Sequence, residues 1–279
     1  MAQAAGGLPR DGLPGAGVAV DDALAAAQQR ADVVVRTLTD LTDLDVAREV
    51  FDTVWPSATG SSQVQGNLMR AIVHAGGYVS AAYRGGAAIG AAFGFVGRHE
   101  SADGWHTHLH SHMAAVLEPY RDQHVGAALK QHQRSWCRAQ AIDTVVWTFD
   151  PLVRRNARLN LVKLGVDVDG FEVDFYGSMD DGINSGDPTD RLFAWWRLSS
   201  ERAQDAAAGR LAPLAPDALA GRDVRVIELP NDIVALRAAD PVAAAHWRLA
   251  VREQLLDAFA AGYRIIGITR DDGYLLERA

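Results

Sequence analysis

The feature that most constrains this chain is the run from Met113 to Lys130, MAAVLEPYRDQHVGAALK. Its pattern predicts a buried strand that ends before Pro119, a short loop, and a helix that begins near Val125. The start of a helix leaves about four backbone N–H groups unpaired and carries a partial positive charge. Because Gly126 and the two alanines after it are small, a phosphate group can approach these amides closely. The run therefore predicts a site for a phosphate-bearing cofactor.

Composition narrows the classes of partner. The 279 residues carry a formal net charge of −8 at pH 7, and 48% of them are hydrophobic. A nucleic acid or an anionic membrane requires clustered cations, and the sequence has no long Lys/Arg run, so neither is expected as a partner. No apolar stretch approaches the roughly 20 residues that span a bilayer, and the single cysteine, Cys137, fits a reducing compartment. We expect a cytoplasmic protein.

Four segments are expected along the chain. Residues 1–30 are rich in Ala and Gly and lack a signal-peptide pattern, so they are predicted as a flexible leader that turns helical near residues 21–30. Residues 31–200 are predicted as the main domain, and residues 201–223, rich in Ala, Pro, Gly and Asp, as a linker. Residues 224–279 are predicted as a strand, a helix and a hairpin. Because this extension is small for an independent core, we expect it to pack on the main domain or to form a homodimer.

Periodicity divides the main domain into strands and helices. Strands are predicted over residues 33–38, 78–83, 87–96, 105–116, 143–149, 168–176 and 191–198. Helices are predicted over residues 42–55, 63–75, 125–140 and 152–164. This order predicts an α/β (α+β) fold in which helices pack on a sheet.

The segment Gln123-x-x-Gly126-x-Ala128, placed after a strand that ends near Pro119, resembles the acyl-CoA-binding motif of the GNAT superfamily of N-acyltransferases. The following segment, residues 148–166, is similar to a later helix of that superfamily, which begins near an Asn and ends at a Leu-Gly stop. Over a longer stretch, from Phe149 through Tyr176 and Trp195 to Tyr263, the chain resembles a bacterial branch called predicted GNAT acetyltransferases.

Over about residues 33–198 the resemblance implies a GNAT-type mixed, mostly antiparallel sheet with helices on both faces. It also implies a co-substrate, acetyl-CoA or another acyl-CoA such as succinyl-CoA. Backbone amides of residues 123–128 would hold the pyrophosphate, and the strand end would pair with the pantetheine arm. Arg121 would add a charged contact to phosphate, or it is a solvated surface residue. Asn156 would contact the arm, or it forms local backbone hydrogen bonds. The cofactor-binding candidates are Val116, Glu118, Arg121, Gln123, His124, Val125, Gly126, Ala127, Ala128 and Asn156.

Four histidines alternate along the long central strand: His106, His108, His110 and His112. Since strand side chains alternate with a period of 2, all four are expected on one face. His110 lies six residues before Val116, where several relatives carry a catalytic Glu. An imidazole takes a proton near neutral pH, so His110, and after it His112, are the candidate bases. The alternative is a polar strand face along a wet cleft. No Cys or acidic ligand is close in sequence, so no metal site is predicted.

The resemblance does not provide a proton donor for the departing thiolate. Many relatives carry a Tyr four residues before the Gly that closes the later helix, where it protonates the departing thiolate. Here Leu161 precedes Gly165 by four residues. The thiolate then takes its proton from solvent or from another group, for which Tyr176 is the candidate.

Together these features predict an acyl-CoA-dependent N-acyltransferase. It would move an acetyl or succinyl group to the primary amine of a small molecule, with an amino acid as the leading acceptor, by direct attack in a ternary complex. Two alternatives stay open. One is a non-catalytic acyl-CoA-binding module, favoured by Leu161, and the other is a GNAT-fold enzyme with altered chemistry, namely decarboxylation or O-acyl transfer.

Overall fold

The computed structural model describes residues 21–57, 59–177, 187–215 and 219–278. The strands in these ranges are β1 (Val34–Thr37), β2 (Tyr78–Arg84), β3 (Ala87–Ser101), β4 (Gly104–Val116), β5 (Thr144–Phe149), β6 (Asp167–Glu172), β7 (Arg191–Arg197), β8 (Val224–Ile227), β9 (Tyr263–Ile268) and β10 (Tyr274–Arg278). The α-helices are α1 (Asp22–Ala31), α2 (Leu41–Val54), α3 (Gly66–His74), α4 (Val125–Ala139), α5 (Arg154–Arg158), α6 (Glu201–Ala207), α7 (Ile233–Ala239) and α8 (Pro241–Ala260). A 3₁₀ turn, Glu118–Tyr120, precedes α4, and a π-helical segment, Leu159–Leu164, follows α5.

Seven strands form the main sheet, in the order β1-β2-β3-β4-β5-β7-β6. Neighbours run antiparallel except β4 and β5, which run parallel. One hydrophobic cluster joins α4 to Leu109 and Val145, and a second joins α2 to Phe93 and Ala115. We call the two faces of the sheet the α4 side and the α2 side. This confirms the predicted mixed, mostly antiparallel sheet with helices on both faces.

Local sequence accounts for the elements that frame the centre of the sheet. In α2 the buried residues Leu44, Ala47, Val50 and Phe51 recur every three or four positions, which places them on one helical face. The β2–β3 hairpin turns at two glycines with φ near 58° and 86°, a conformation that other residues rarely adopt. Sequence patterns therefore placed these elements to within a few residues.

Two predicted elements differ in the structure. The predicted strand over residues 168–176 ends at Glu172, because Asp174 is left-handed with φ 52° and its carboxylate accepts from the Thr189 backbone N–H at 2.9 Å. Tyr176, predicted near the end of that strand, therefore lies in a turn. The predicted helix over residues 152–164 divides into α5 and the π-helical segment. Its predicted stop is confirmed at Gly165, where an added Cβ would meet the Arg202 carbonyl oxygen.

The C-terminal extension has its own sheet, β8-β10-β9, covered by α7 and α8. Its apolar residues, including Leu255 and Tyr274, belong to the same core cluster as α4 and β5, so the extension packs on the main domain. The first part of the predicted linker is helical as α6, capped by Ser200, and α7 was not predicted. Of the predicted leader, residues 1–20 lie outside the described residues, and the boundaries at residues 30, 200 and 223 stay predictions.

Across the ranges that the structure describes, no helix combines the length and apolarity needed to cross a membrane.

Candidate active site

The centre of the sheet opens where β4 and β5 separate. These parallel strands pair only at Leu109 with Val145 and at His110 with Val146. Beyond this point β4 continues for six residues, 111–116, and β5 for three, 147–149, each paired only with its outer neighbour. We call the space between these two free edges the strand gap. Unpaired N–H and C=O groups of such edges can pair with an extended ligand.

A β-bulge lies in β4 beside the strand gap. The register shifts between Phe93 and Gly94 on β3, which leaves His112 as the extra residue of β4. Before the bulge, Ser111 points to the α4 side, whereas after it Ala115 belongs to the cluster on the α2 side. Bulges re-aim side chains in this way and are frequent next to active sites.

The loop that leads into α4 has a strained backbone. Asp122 has φ 61°, and His124, the N-cap of α4, has φ 64°. Non-glycine residues in the left-handed region are uncommon and concentrate at functional sites. The first N–H of α4 that donates to a carbonyl is that of Ala128, to His124 at 3.1 Å, so the amides of residues 125–127 come too early for an intrahelical partner. Within the described residues no side chain caps this helix.

Gly126 leaves open space above these amides. An added Cβ would meet only Leu159 Cδ2, at 3.9 Å, and the φ of Gly126 is not positive. The fold therefore tolerates a side chain here, and glycine instead keeps the helix start accessible. This geometry fits a phosphate group held by backbone amides.

Two candidate side chains of the loop hold the loop itself. Gln123 accepts from Arg84 Nη1 at 2.7 Å and donates to the Pro119 carbonyl at 2.9 Å. Arg121 Nε donates to the Val116 carbonyl at 3.4 Å. The backbone of the loop, rather than the Gln123 amide, is thus free for a ligand. Of the remaining candidates, Val116 is half-buried and Glu118 is exposed beside it.

The candidates Asn156 and Tyr176 lie in segments that follow β5 in the chain, Asn156 in α5 and Tyr176 in the turn after β6. Asn156 is half-buried in α5, and its backbone N–H donates to the Val153 carbonyl at 2.9 Å. The Tyr176 hydroxyl lies 3.0 Å from Thr148 Oγ1 on the free part of β5. Tyr176 is 40% exposed, so it borders the gap from the solvent side.

The histidines of β4 share one face, as predicted. The ring centroids of His110 and His112 lie 6.0 Å apart, and His110 stacks on Phe95 at 4.9 Å on the α2 side. His99 of β3 connects His106 and His108, with ring distances of 5.7 and 5.2 Å. His110 belongs to the last pair before the strands separate, so its imidazole stands at the closed end of the strand gap.

Burial controls the protonation of His110. Its pKa is lowered from 6.5 to about 4, first by burial and then by the neighbouring charges of His112, His108 and Lys130. His110 is therefore neutral near pH 7, the form in which an imidazole nitrogen can accept a proton.

A buried lysine on the α4 side was missed by the sequence analysis. Lys130 is 4% exposed, and its Nζ donates to Ser111 Oγ at 2.8 Å and to Gln133 Oε1 at 3.0 Å. The same Nζ lies 3.7 Å from the centroid of the Trp147 ring. Because the charged form is desolvated, its pKa is lowered from 10.5 to about 7. Nothing in the sequence distinguishes Lys130, because a lysine on a helix is usually exposed. Here α4 is buried on nearly all sides, which only the structure shows.

Other reactive groups lie away from the strand gap or are inert. Cys137 is fully buried, and burial raises the pKa of its thiol well above the usual range, which opposes a nucleophilic role. In the described part of the chain, no group of three or more His, Cys, Asp or Glu side chains is arranged to hold a metal ion. A cavity of about 510 Å³ lies at the opposite end of β4, lined by polar residues such as His99, Asp103 and His106.

A sheet that opens between two parallel strands, with a helix start at the open end, has room for an extended ligand that ends in a phosphate group. Residues 45–165 match the family model described as the Acetyltransferase (GNAT) family. Over these residues, which are less than half of the chain, the sequence is similar to the GNAT family of acetyltransferases. The match covers the strand gap, the loop before α4 and residues 148–165 of the second segment that resembles the superfamily. A search of curated proteins found no significant match.

Solved structures with a similar fold include several acetyltransferases. A GNAT family acetyltransferase from Elizabethkingia anophelis with acetyl-CoA bound is 15% identical, with a TM-score of 0.46 over 60% of this chain and 98% of that chain. The ribosomal-protein-S18-alanine N-acetyltransferase from Escherichia coli is 15% identical, with a TM-score of 0.45 over 61% and 97%. An N-acetyltransferase from Staphylococcus aureus is 14% identical, with a TM-score of 0.46 over 60% and 99%.

Proposed function

We propose that the protein transfers an acyl group, acetyl or succinyl, from acyl-CoA to the primary amine of a small molecule, with an amino acid as the leading acceptor. The observation that carries the proposal is the strand gap. It connects an open helix start at α4 to the buried end where β4 and β5 meet, so one extended ligand can occupy both. Acyl-CoA has the matching form, with a pyrophosphate at one end and a thioester at the other.

Each part of the ligand has a place in this geometry. The amides of residues 125–127 and the loop from Gln123 hold the pyrophosphate, and the free edge of β4 up to Val116 pairs with the amides of the pantetheine arm. Arg121 and Asn156 border that arm from either side of the gap. The thioester then lies beside His110.

His110 is the proposed base. Neutral at pH 7, it takes the proton that the attacking nitrogen gives up, directly or through a water molecule. Replacing it with Asn removes the base while keeping a polar side chain of similar size. We expect kcat in the release of free CoA thiol to fall by about 10²- to 10⁴-fold, with acyl-CoA binding unchanged. A variant that keeps full activity would remove His110 from the mechanism.

Thermal stability tests the cofactor site. A ligand at a hundredfold excess over its dissociation constant stabilises the native protein by about 2.7 kcal/mol. We expect acetyl-CoA, succinyl-CoA and free CoA to raise the melting temperature, and the larger shift to identify the donor. The acyl-CoA that gives the larger shift is then screened with primary amines, amino acids first, by measuring the release of free thiol. Turnover with any amine excludes a non-catalytic binding module.

Two matched variants localise the effect. Gly126→Glu places a carboxylate among the amides of α4, where the fold has room for it but a pyrophosphate is repelled. Val242→Glu places the same carboxylate in the first turn of α8, where Val242 is 66% exposed. We expect the first variant to lose the shift with CoA and the second to keep it. A Gly126→Glu protein that still binds CoA would contradict the proposed site.

The partner and compartment predictions stand beside this proposal. A small-molecule amine is the expected partner, with no nucleic acid and no membrane, in the cytoplasm. A homodimer through the C-terminal extension also stays a prediction, and light scattering of the full chain tests it.

A further inference from the structure

Lys130 connects the two strands that border the strand gap. Its Nζ donates to Ser111 on β4 and lies over the Trp147 ring on β5. Ser111 and Trp147 are the first residues after the last paired positions of their strands. The ammonium group therefore lies at the closed end of the gap on the α4 side, across the sheet from the His110 imidazole.

The surroundings of Lys130 are neutral. Its hydrogen-bond acceptors are a hydroxyl and the Gln133 amide oxygen, and none of the ion pairs among the described residues includes Lys130. A buried charge without a counter-charge is expensive, and an apolar side chain would fill the same space at lower cost. In addition, the Gln133 Nε2 atom is fully buried and has no hydrogen-bond partner in the described part of the chain. Both observations indicate that a polar group of a ligand completes this cluster.

The length of the free edge matches a ligand that reaches from α4 to Lys130. From Val116 back to Ser111 the strand rises about 3.3 Å per residue, so this edge is roughly 16 Å long. That length is comparable to an extended pantetheine arm. With the pyrophosphate at the start of α4, as in the proposed function on which this step rests, the sulfur atom lies next to Lys130.

We infer that Lys130 is the general acid that gives a proton to the departing CoA thiolate. The neutral amine nitrogen attacks the thioester carbon, the C–N bond forms, the C–S bond breaks, and the electron pair of that bond stays on sulfur. Lys130 Nζ transfers one proton to the sulfur and becomes a neutral amine, which takes a proton back from water. The proton lost by the acceptor nitrogen goes to His110 or to solvent, so amine and thioester yield amide and thiol.

Lys130 supplies the proton donor that Leu161 cannot supply. Leu161, which stands where the resemblance places a Tyr donor, is 2% exposed and has no proton to give. Burial brings the pKa of Lys130 to about 7, so an acid form and a neutral form both exist near neutral pH, as turnover requires. The titratable groups that interact with its charge are His110 on β4 and Cys137 on α4 itself.

Binding of CoA and desulfo-CoA by isothermal titration calorimetry tests the contact without an acceptor. We expect the wild-type protein to bind CoA about 10- to 100-fold more tightly than desulfo-CoA, because the ammonium group holds the sulfur as a thiolate. In Lys130→Met this preference disappears while desulfo-CoA still binds, which also shows that the variant is folded. Lys163→Met changes the only other lysine of the sequence, which is exposed, and keeps the preference.

The possible outcomes test the role of Lys130 and the proposed cofactor site separately. If both proteins bind CoA and desulfo-CoA with the same ratio, Lys130 does not contact the sulfur and the inference is wrong, while the cofactor site stands. If the wild-type protein binds neither ligand, the proposed cofactor site itself is wrong, and the inference is wrong with it. Loss of the preference in Lys130→Met alone supports both.

Discussion

Lys130 and Arg248 are equally buried cations in opposite surroundings. Lys130 is 4% exposed and Arg248 is 2% exposed. Arg248 donates to both carboxylate oxygens of Asp150 at 2.9 Å and to Asp187 at 2.9 Å. Lys130 instead contacts a hydroxyl, an amide oxygen and an indole ring. One site fully neutralises its charge, and the other does not.

The pKa values follow this difference. Nearby carboxylates raise the pKa of Arg248 despite its burial, so its charge is fixed. Burial alone lowers the pKa of Lys130 to about 7, so its proton can exchange. Arg248 lies on α8 and Asp150 directly follows β5, so their pair fastens the extension to the main sheet. Burial alone thus does not separate a structural cation from a catalytic one, whereas the charge of its partners does.

Removing the fixed charge has the largest expected effect. Arg248→Met leaves Asp150 buried and short of its main partner, so we expect the free energy of unfolding to fall by about 3–5 kcal/mol. Denaturant unfolding measures it. The control Arg210→Met breaks a pair with Asp205 whose arginine is 63% exposed, and we expect it to cost less than about 1 kcal/mol. Equal losses in the two variants would show that the Asp150 cluster does not hold the extension.

Removing the charge of Lys130 is expected to change the pH dependence of the free energy of unfolding. Because the pKa of Lys130 is lowered from 10.5 to about 7, the unfolded chain binds more protons than the folded chain between these values. Stability therefore rises with pH there, by about 2 kcal/mol between pH 7 and pH 8.5. We expect this rise to disappear in Lys130→Met and to persist in Lys163→Met.

The window ends at pH 8.5 for a physical reason. Burial raises the pKa values of Cys137 and Tyr78, so these groups lower the stability at higher pH. Denaturant unfolding of the three proteins at several pH values within the window gives the slopes. A Lys130→Met protein with the wild-type slope would mean that Lys130 keeps its charge, like Arg248.

The smallest expected effect is on His110. The positive charge of Lys130 helps to lower the pKa of this imidazole, so Lys130→Met should raise it, while Arg248→Met should leave it unchanged. Titration of the His110 ring protons by NMR measures both. An unchanged His110 pKa in Lys130→Met would show that the two charges do not interact, which would contradict their assignment to one site.

Local patterns predicted most of the fold because they reflect short-range physics. The alternation of β4, the glycine turn between β2 and β3 and the small residues at the start of α4 each specify their element within a few residues. The end of β6 and the α6 helix were not predicted. The first depends on a contact between Asp174 and Thr189, fifteen residues apart, which no window of periodicity contains.

The site was only partly predictable for the same reason. The loop of residues 123–128 and the histidine face follow from sequence spacing, and the structure brings the loop, His110 and His112 to the strand gap, while His106 lies at the opposite end of β4. Lys130 and Arg248 gave no comparable signal, because their roles depend on what the fold places around them: Ser111 and Trp147 for one, Asp150 and Asp187 for the other. A buried cation on a helix is visible in a sequence only once its partners are known.

A crystal structure of the protein with CoA would show directly where the pyrophosphate, the pantetheine arm and the sulfur atom bind. We expect the pyrophosphate at the amides of residues 125–127 and the pantetheine arm along the free edge of β4. We expect the sulfur within hydrogen-bonding distance of Lys130 Nζ, between Ser111 and Trp147. An arm that leaves the strand gap, or a sulfur atom on the far side of β5 from Lys130, would contradict these expectations.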